Sequence, residues 1–128
     1  MKHTLQILVL FLGLFCLGLA SPGCATKSPQ TISGQTLMST AQTVDAAMSS
    51  FATWVKLHEG TASPVTQTTI DHVSVLHANY VSGMEVARAA WVAAAQANAR
   101  NSTALATAIS VVAGSSAELI SFIQTITK

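Results

Sequence analysis

Charged side chains are scarce in this chain of 128 residues: Asp, Glu, Lys and Arg together make up 9%, and the formal net charge is +1. Recognition of nucleic acid needs a basic patch, and attraction to an anionic membrane surface needs a run of Lys or Arg. The sequence contains neither, so we expect no nucleic-acid partner. Aromatic residues are also few, at 5%, which indicates a core built mainly from aliphatic side chains.

The chain has only two cysteines, Cys16 and Cys24, and both lie near its N-terminus. If that segment is removed, at most one cysteine remains, and an intrachain disulfide is then impossible. Paired Cys and His residues at zinc-site spacing are missing. So are the serine elbow of hydrolases, the phosphate-binding loop and carboxylate pairs at helical spacing. We therefore expect no catalytic residue, no cofactor, no metal and no enzyme activity.

The first twenty residues have the composition of an export signal. Lys2 gives a positive start, and residues 5–19 are apolar apart from one glutamine and two glycines. This run is shorter than the roughly 20 apolar residues that span a bilayer, which favours a signal peptide over an uncleaved membrane anchor. Two cleavage positions are open. Gly18-Leu19-Ala20 predicts a cut before Ser21, and the second position lies before Cys24.

Gly23 and Cys24 occupy the last two positions of a lipobox, and here the chain resembles the precursors of bacterial lipoproteins. Ser21 departs from that pattern, in which a leucine is usual three residues before the cysteine. The resemblance implies that residues 1–23 are a signal peptide and that Cys24 carries a lipid that binds the membrane. With Ala25 next, it also implies the cell envelope, at the periplasmic face of the outer membrane in a host with two membranes. Cleavage before Ser21 would instead give a secreted protein.

Residues 24–30 have no apolar run and are interpreted as a tether. After them, apolar residues recur at alternating spacings of three and four in three stretches, which predicts helices over about 33–59, 64–98 and 103–127. Such a spacing places the apolar residues on one helix face, here called the seam. The predicted seams are Leu37, Ala41, Val44, Met48, Phe51 and Val55; Ile70, Val73, His77, Tyr80, Met84, Ala87, Trp91 and Ala94; and Leu105, Ile109, Val112, Ser116, Leu119, Ile123 and Ile126.

Local signals predict the turns between these helices. Gly60 is expected to end the first helix, and Ser63 followed by Pro64 predicts the N-cap and first residue of the second. The boundary near residue 100 is less marked, because it lacks Gly and Pro. A left-handed Asn101 followed by a cap at Ser102 or Thr103 would separate the last two helices there, and one continuous helix is the alternative. The sequence therefore predicts an all-α fold, an up-down-up three-helix bundle preceded by a helical signal segment.

Nearly half of the residues from Cys24 onward are Ala, Ser or Thr, which predicts closely packed helices around a modest core. Trp54 lies beside its seam, where it covers the bundle edge or marks a protein-interaction surface. We expect a structural or protein-interaction module in the cell envelope that binds a protein partner or self-associates. Two alternatives stay open: a secreted bundle that binds a small apolar ligand between its helices, and a membrane-active, lysis-associated protein that uses its last helix.

Overall fold

The computed structural model describes residues 29–128, so the proposed signal peptide and the lipidation site at Cys24 lie outside the described residues. Three helices follow one another: α1 over Pro29–His58, α2 over Gln67–Gln96 and α3 over Thr103–Ile126. This range contains no strand. The prediction of an all-α three-helix bundle is confirmed, and the last two helices are separate elements.

Contacts at both ends of the bundle establish the up-down-up order. Ser33, near the start of α1, lines one cavity together with residues at the start of α3. Gly34 packs against Trp91 in the last part of α2. Towards the opposite end, the ring of His72 lies 4.5 Å from that of Phe122, centroid to centroid. Helices α1 and α3 therefore run in the same direction, and α2 runs against both.

The predicted seams form the core. The largest fully buried side chains are Leu119, Val44, Val73 and Val112, all of which are predicted seam residues. Three further buried residues were not predicted, namely Leu76, Gly83 and Ala108. They lie in α2 and α3, which make the most extensive contact of the bundle, whereas α1 and α2 make the least extensive.

Three large members of the α2 seam, Ile70, His77 and Trp91, are less buried than the rest. His77 and Trp91 are half-buried, while Val73 and Ala87 are almost fully excluded from solvent. The ring of His77 lies 6.2 Å from that of Tyr80, centroid to centroid. The α2 seam thus combines buried positions with three that are partly exposed to solvent.

Helix α1 ends as the sequence indicates but covers more of the chain at its start. His58 is its last residue, and Gly60 adopts a φ of +73°, a left-handed conformation that glycine adopts without steric cost. At the other end α1 already includes Pro29 and Gln30, which the sequence assigned to the tether. Proline is compatible with the first turn of a helix because the N–H it lacks would have no helical partner there.

Helix α2 begins three residues later than predicted, since Thr66 rather than Ser63 is its N-cap. The Thr66 side chain accepts a hydrogen bond from the Thr69 backbone N–H at 3.3 Å. With this cap, Val65 and Ile70 occupy the two positions of a hydrophobic staple, and both are half-buried. A cap at Ser63 would put Ala62 and Gln67 there, which offers no apolar pair.

The break between α2 and α3 uses Asn98 rather than Asn101 as its left-handed residue, with a φ of +53°. The N–H of Ala99 donates to the carbonyl of Ala94, and the N–H of Asn98 donates to that of Ala95. These two bonds form a Schellman motif, which satisfies carbonyls that the helix end leaves free. Ser102 then caps α3, as one of the two predicted caps, by accepting from the Leu105 N–H at 3.2 Å.

Candidate functional site

Trp54, the residue singled out as an interaction surface, is packed at the edge of the bundle. It is half-buried against the core and its ring centroid lies 6.0 Å from that of Phe51 and 4.7 Å from that of His58. The Nδ1 of His58 also lies 2.8 Å from the Trp54 carbonyl oxygen. This cluster fixes the last two turns of α1. A binding role for Trp54 stays a prediction.

Titratable side chains do not form a metal-sized cluster among residues 29–128, where no three His, Cys, Asp or Glu groups come together. His72 contacts Phe122, His77 lies near Tyr80, and His58 contacts Trp54. Each histidine therefore has a different aromatic neighbour, and their imidazoles do not converge on one point.

Tyr80 is the one titratable group of the core. It is almost fully buried in α2, and this burial raises the pKa of its hydroxyl above the ordinary value of 10.0. The negative charge of Asp45 also raises the pKa, while the positive charge of Arg88 lowers it. Asp45 and Arg88 are therefore both within electrostatic reach of the core at this level of the bundle.

A first groove, the α1–α2 groove, opens where these two helices are in least extensive contact. Its volume is about 550 Å³, and seven of its eight lining residues are uncharged. Gly34 lies beside Trp91: a Cβ added there would be in van der Waals contact, 3.4 Å from Trp91 Nε1 and about as close to two of its ring carbons. The indole thus lies against the α1 backbone. The lining residues are Gly34, Leu37, Met38, Ala41, Met84, Arg88, Trp91 and Val92.

A second groove, the α2–α3 groove, lies between the other pair of helices. It has a volume of about 460 Å³. Val86 of α2 and Val111 of α3 flank it, with 60% and 55% of their surfaces exposed. Small side chains cover most of the rest. The lining residues are Asn79, Ser82, Gly83, Val86, Thr103, Ala104, Thr107, Ala108 and Val111.

Three α2 residues of the α2–α3 groove, together with Val75 one turn before the groove, recur at the spacing of a seam. On α2, Val75, Asn79, Ser82 and Val86 follow one another at four, three and four residues, and Val75 is 57% exposed. Such spacing places them on one face of the helix, separate from the core seam. Helix α2 therefore carries a second, weaker seam that no element within residues 29–128 covers.

Helix α3 is long and apolar enough to cross a membrane, the one helix of the described range with this property. Length and composition alone are weak evidence, because core helices of soluble proteins share both. Leu119 and Ile123 are buried in the bundle, but only 28% of the apolar window of α3 is buried overall. The helix thus has one apolar face in the core, while its exposed face carries mainly Ala, Ser and Thr, with Val111 as its one large apolar side chain.

Comparison with known proteins adds no assignment: no family model, curated protein or solved structure matches the chain. Of the residues that line the α1–α2 groove, the sequence singled out Leu37, Ala41, Met84 and Trp91, but only as members of the core seams. It missed Gly34 and Arg88. Their role depends on which turn of α1 lies beside which turn of α2, and spacing within one helix does not carry that information.

Proposed function

We propose that this protein is an exported, lipid-anchored helical module of the cell envelope that binds another helical surface through its α2–α3 groove. The anchor is a lipid on Cys24, and a short segment connects it to the bundle. The proposal for the anchor is supported by the sequence, through the apolar run of residues 5–19 and the pair Gly23-Cys24. Catalysis has no part in this function.

The second seam on α2 is the observation that supports binding of a helix. Val75, Val86 and Val111 are each more than half exposed, and two of them flank a groove otherwise lined by small side chains. Helices pack by placing the ridges of one in the groove of another, and small residues allow their axes to come close. A fourth helix in this groove would bury the three valines and complete a four-helix arrangement.

The anchor is tested by the intact mass of the protein isolated from a host that processes lipoproteins. We expect a chain that begins at Cys24 and is heavier than its amino-acid mass by the attached lipid. We also expect Cys24→Ser to move the protein from the membrane fraction to the soluble fraction. A chain that begins at Ser21 with an unmodified Cys24 would refute the anchor, and so would an unchanged location of the variant.

The helix-binding surface is tested by the oligomeric state and crosslinking pattern of the exported protein. A second copy is the first partner to examine, and sedimentation of the Cys24→Ser form measures it directly. We expect Val86→Lys and Val111→Lys to abolish association or crosslinking, because each buries a charge in the contact. The matched control is Leu57→Lys, at a residue that is 71% exposed outside the groove. Equal effects of all three substitutions would contradict the proposal.

A further inference from the structure

We propose that the α1–α2 groove binds the acyl chain of an anionic lipid, with the chain along Trp91 and the head group at Arg88. This site is distinct from the α2–α3 groove and from Cys24, and it does not depend on the proposed anchor. It would make the protein a lipid-binding protein as well as a helical module.

The size of the groove is that of a small-ligand site. Its α2 wall runs from Met84 to Val92, a length of about 12 Å at 1.5 Å per residue. This is little more than two helical turns, a length that part of an extended acyl chain would occupy. A volume of about 550 Å³ is within the range of small-ligand sites, roughly 300–1,000 Å³.

The chemistry of the lining is also that of an acyl-chain site. The half-buried indole of Trp91 lies over Gly34, and the buried side chains of Leu37 and Met84 form the apolar floor beside the small Ala41. Met38, which is 66% exposed, and Val92, which is 44% exposed, form the two lips. When an apolar ligand covers the exposed apolar side chains around one concavity, their removal from water favours binding. Methionine side chains also adapt their shape to a ligand.

The charge of the groove determines which kind of lipid fits. Arg88 is the one charged residue among the eight that line it, and its guanidinium offers donors that match a carboxylate or a phosphate. Asp45 and Glu85 are the acidic residues nearest in sequence to the groove residues of their helices, and neither lines it. Among the lining residues an anionic head group therefore meets one cation and no anion. Asp45, whose charge acts on Tyr80 together with that of Arg88, offsets part of this attraction.

Quenching of Trp91 fluorescence by a fatty acid brominated in mid-chain tests the site, since bromine quenches an indole that it contacts. The protein is the exported chain with Cys24→Ser and Trp54→Phe. In this form no lipid on Cys24 can fill the groove, and Trp91 is the sole tryptophan. We expect saturable quenching with one fatty acid per chain. An uncharged brominated alcohol of equal length should bind about two- to five-fold more weakly, as for loss of an exposed ion pair.

Three substitutions connect the quenching to this groove. Gly34→Leu should displace the indole, because an added Cβ alone would already lie 3.4 Å from Trp91 Nε1, and we expect it to weaken binding at least about tenfold. Arg88→Gln should weaken binding of the fatty acid to the level of the alcohol and leave the alcohol unchanged. Met38→Asp, at an exposed lip where folding is not at risk, should also weaken binding of the anion. The control Val111→Gln, in the other groove, should have no effect.

Several results would overturn the proposal. Quenching that never saturates, or that Val111→Gln reduces as much as Gly34→Leu does, would show non-specific contact. Equal affinity for the acid and the alcohol would refute the role of Arg88. Loss of binding in parallel with dimer formation would identify a second copy as the occupant. Because Cys24 is replaced throughout, each of these failures leaves the proposed anchor and the α2–α3 groove untouched.

Discussion

Gly60 and Gly114 show how one residue type has opposite consequences in two surroundings. Gly60 has a φ of +73°, whereas Gly114 lies within α3 and an added Cβ there would meet nothing within 4 Å. Gly114 is exposed on the surface of α3, so no steric requirement explains the glycine there.

Replacing each of these two glycines by alanine should therefore change stability in opposite directions. Gly114→Ala should raise the free energy of unfolding by up to about 1 kcal/mol, because alanine is the better helix former and has room. Gly60→Ala should lower it by about 1 kcal/mol, because the left-handed conformation is strained for alanine. Urea unfolding followed by circular dichroism measures both. Destabilisation by Gly114→Ala would mean that its side of α3 is covered.

Tyr80 predicts a loss of stability in alkaline solution. Its pKa is raised in the folded protein above 10.0, so the folded state keeps the phenolic proton at a pH where the unfolded chain releases it. The contribution of Tyr80 to the free energy of unfolding is then constant below about pH 10. It falls as the pH rises further, up to the pKa of Tyr80 in the folded protein. Tyr80→Phe should remove this part of the fall. Tyr80 is the sole tyrosine of the sequence, so the ultraviolet absorption of tyrosinate reports its titration directly, and a midpoint at or below 10.0 would contradict this prediction.

At the scale of the helices, the start of α2 distinguishes two capping patterns that look alike in the sequence. Thr66→Ala should cost about 1 kcal/mol of unfolding free energy, within the 0.5–2 kcal/mol typical of lost N-caps. Ser63→Ala should be nearly neutral, because Ser63 is exposed and lies outside the helix. Thermal unfolding of the two variants measures the difference. A larger cost for Ser63→Ala would restore the cap that the sequence predicted.

The helices and their seams were predictable because each depends on spacing within one stretch of chain. The residues that were missed depend on neighbours that are distant in sequence. Leu76 and Gly83 are buried because α2 contacts α3 along a line beside its own seam, and Ala108 is buried on the α3 side of that contact. The α1–α2 groove was missed for the same reason, since it depends on Gly34 lying beside Trp91.

At the scale of the whole molecule, the three helices are unequal partners. Helices α2 and α3 make the most extensive contact, and α1 contacts each of them less. In α1, Val44 is the one core residue that is fully excluded from solvent. Leu37 and Phe51, on either side of it, are slightly more exposed. Because α1 contributes three of the buried core side chains and makes the less extensive contacts, its loss from the bundle should cost less than the separation of α2 from α3.

Native-state hydrogen exchange should therefore show two levels of protection. Regions with few buried contacts open at lower free energy than the global unfolding of the domain. We expect amides in the first three turns of α1, where Gly34 borders the open groove, to exchange first, and amides around Val112 and Leu119 in α3 to exchange only on global unfolding. Val44→Ala should lower the protection of amides throughout α1, because it truncates the best-buried side chain of this helix. The protection of α2 and that of α3 should remain similar to each other. Uniform protection across the three helices would contradict this prediction. It would mean that the bundle opens as a single unit and that the contact between α1 and α2 is as stable as that between α2 and α3.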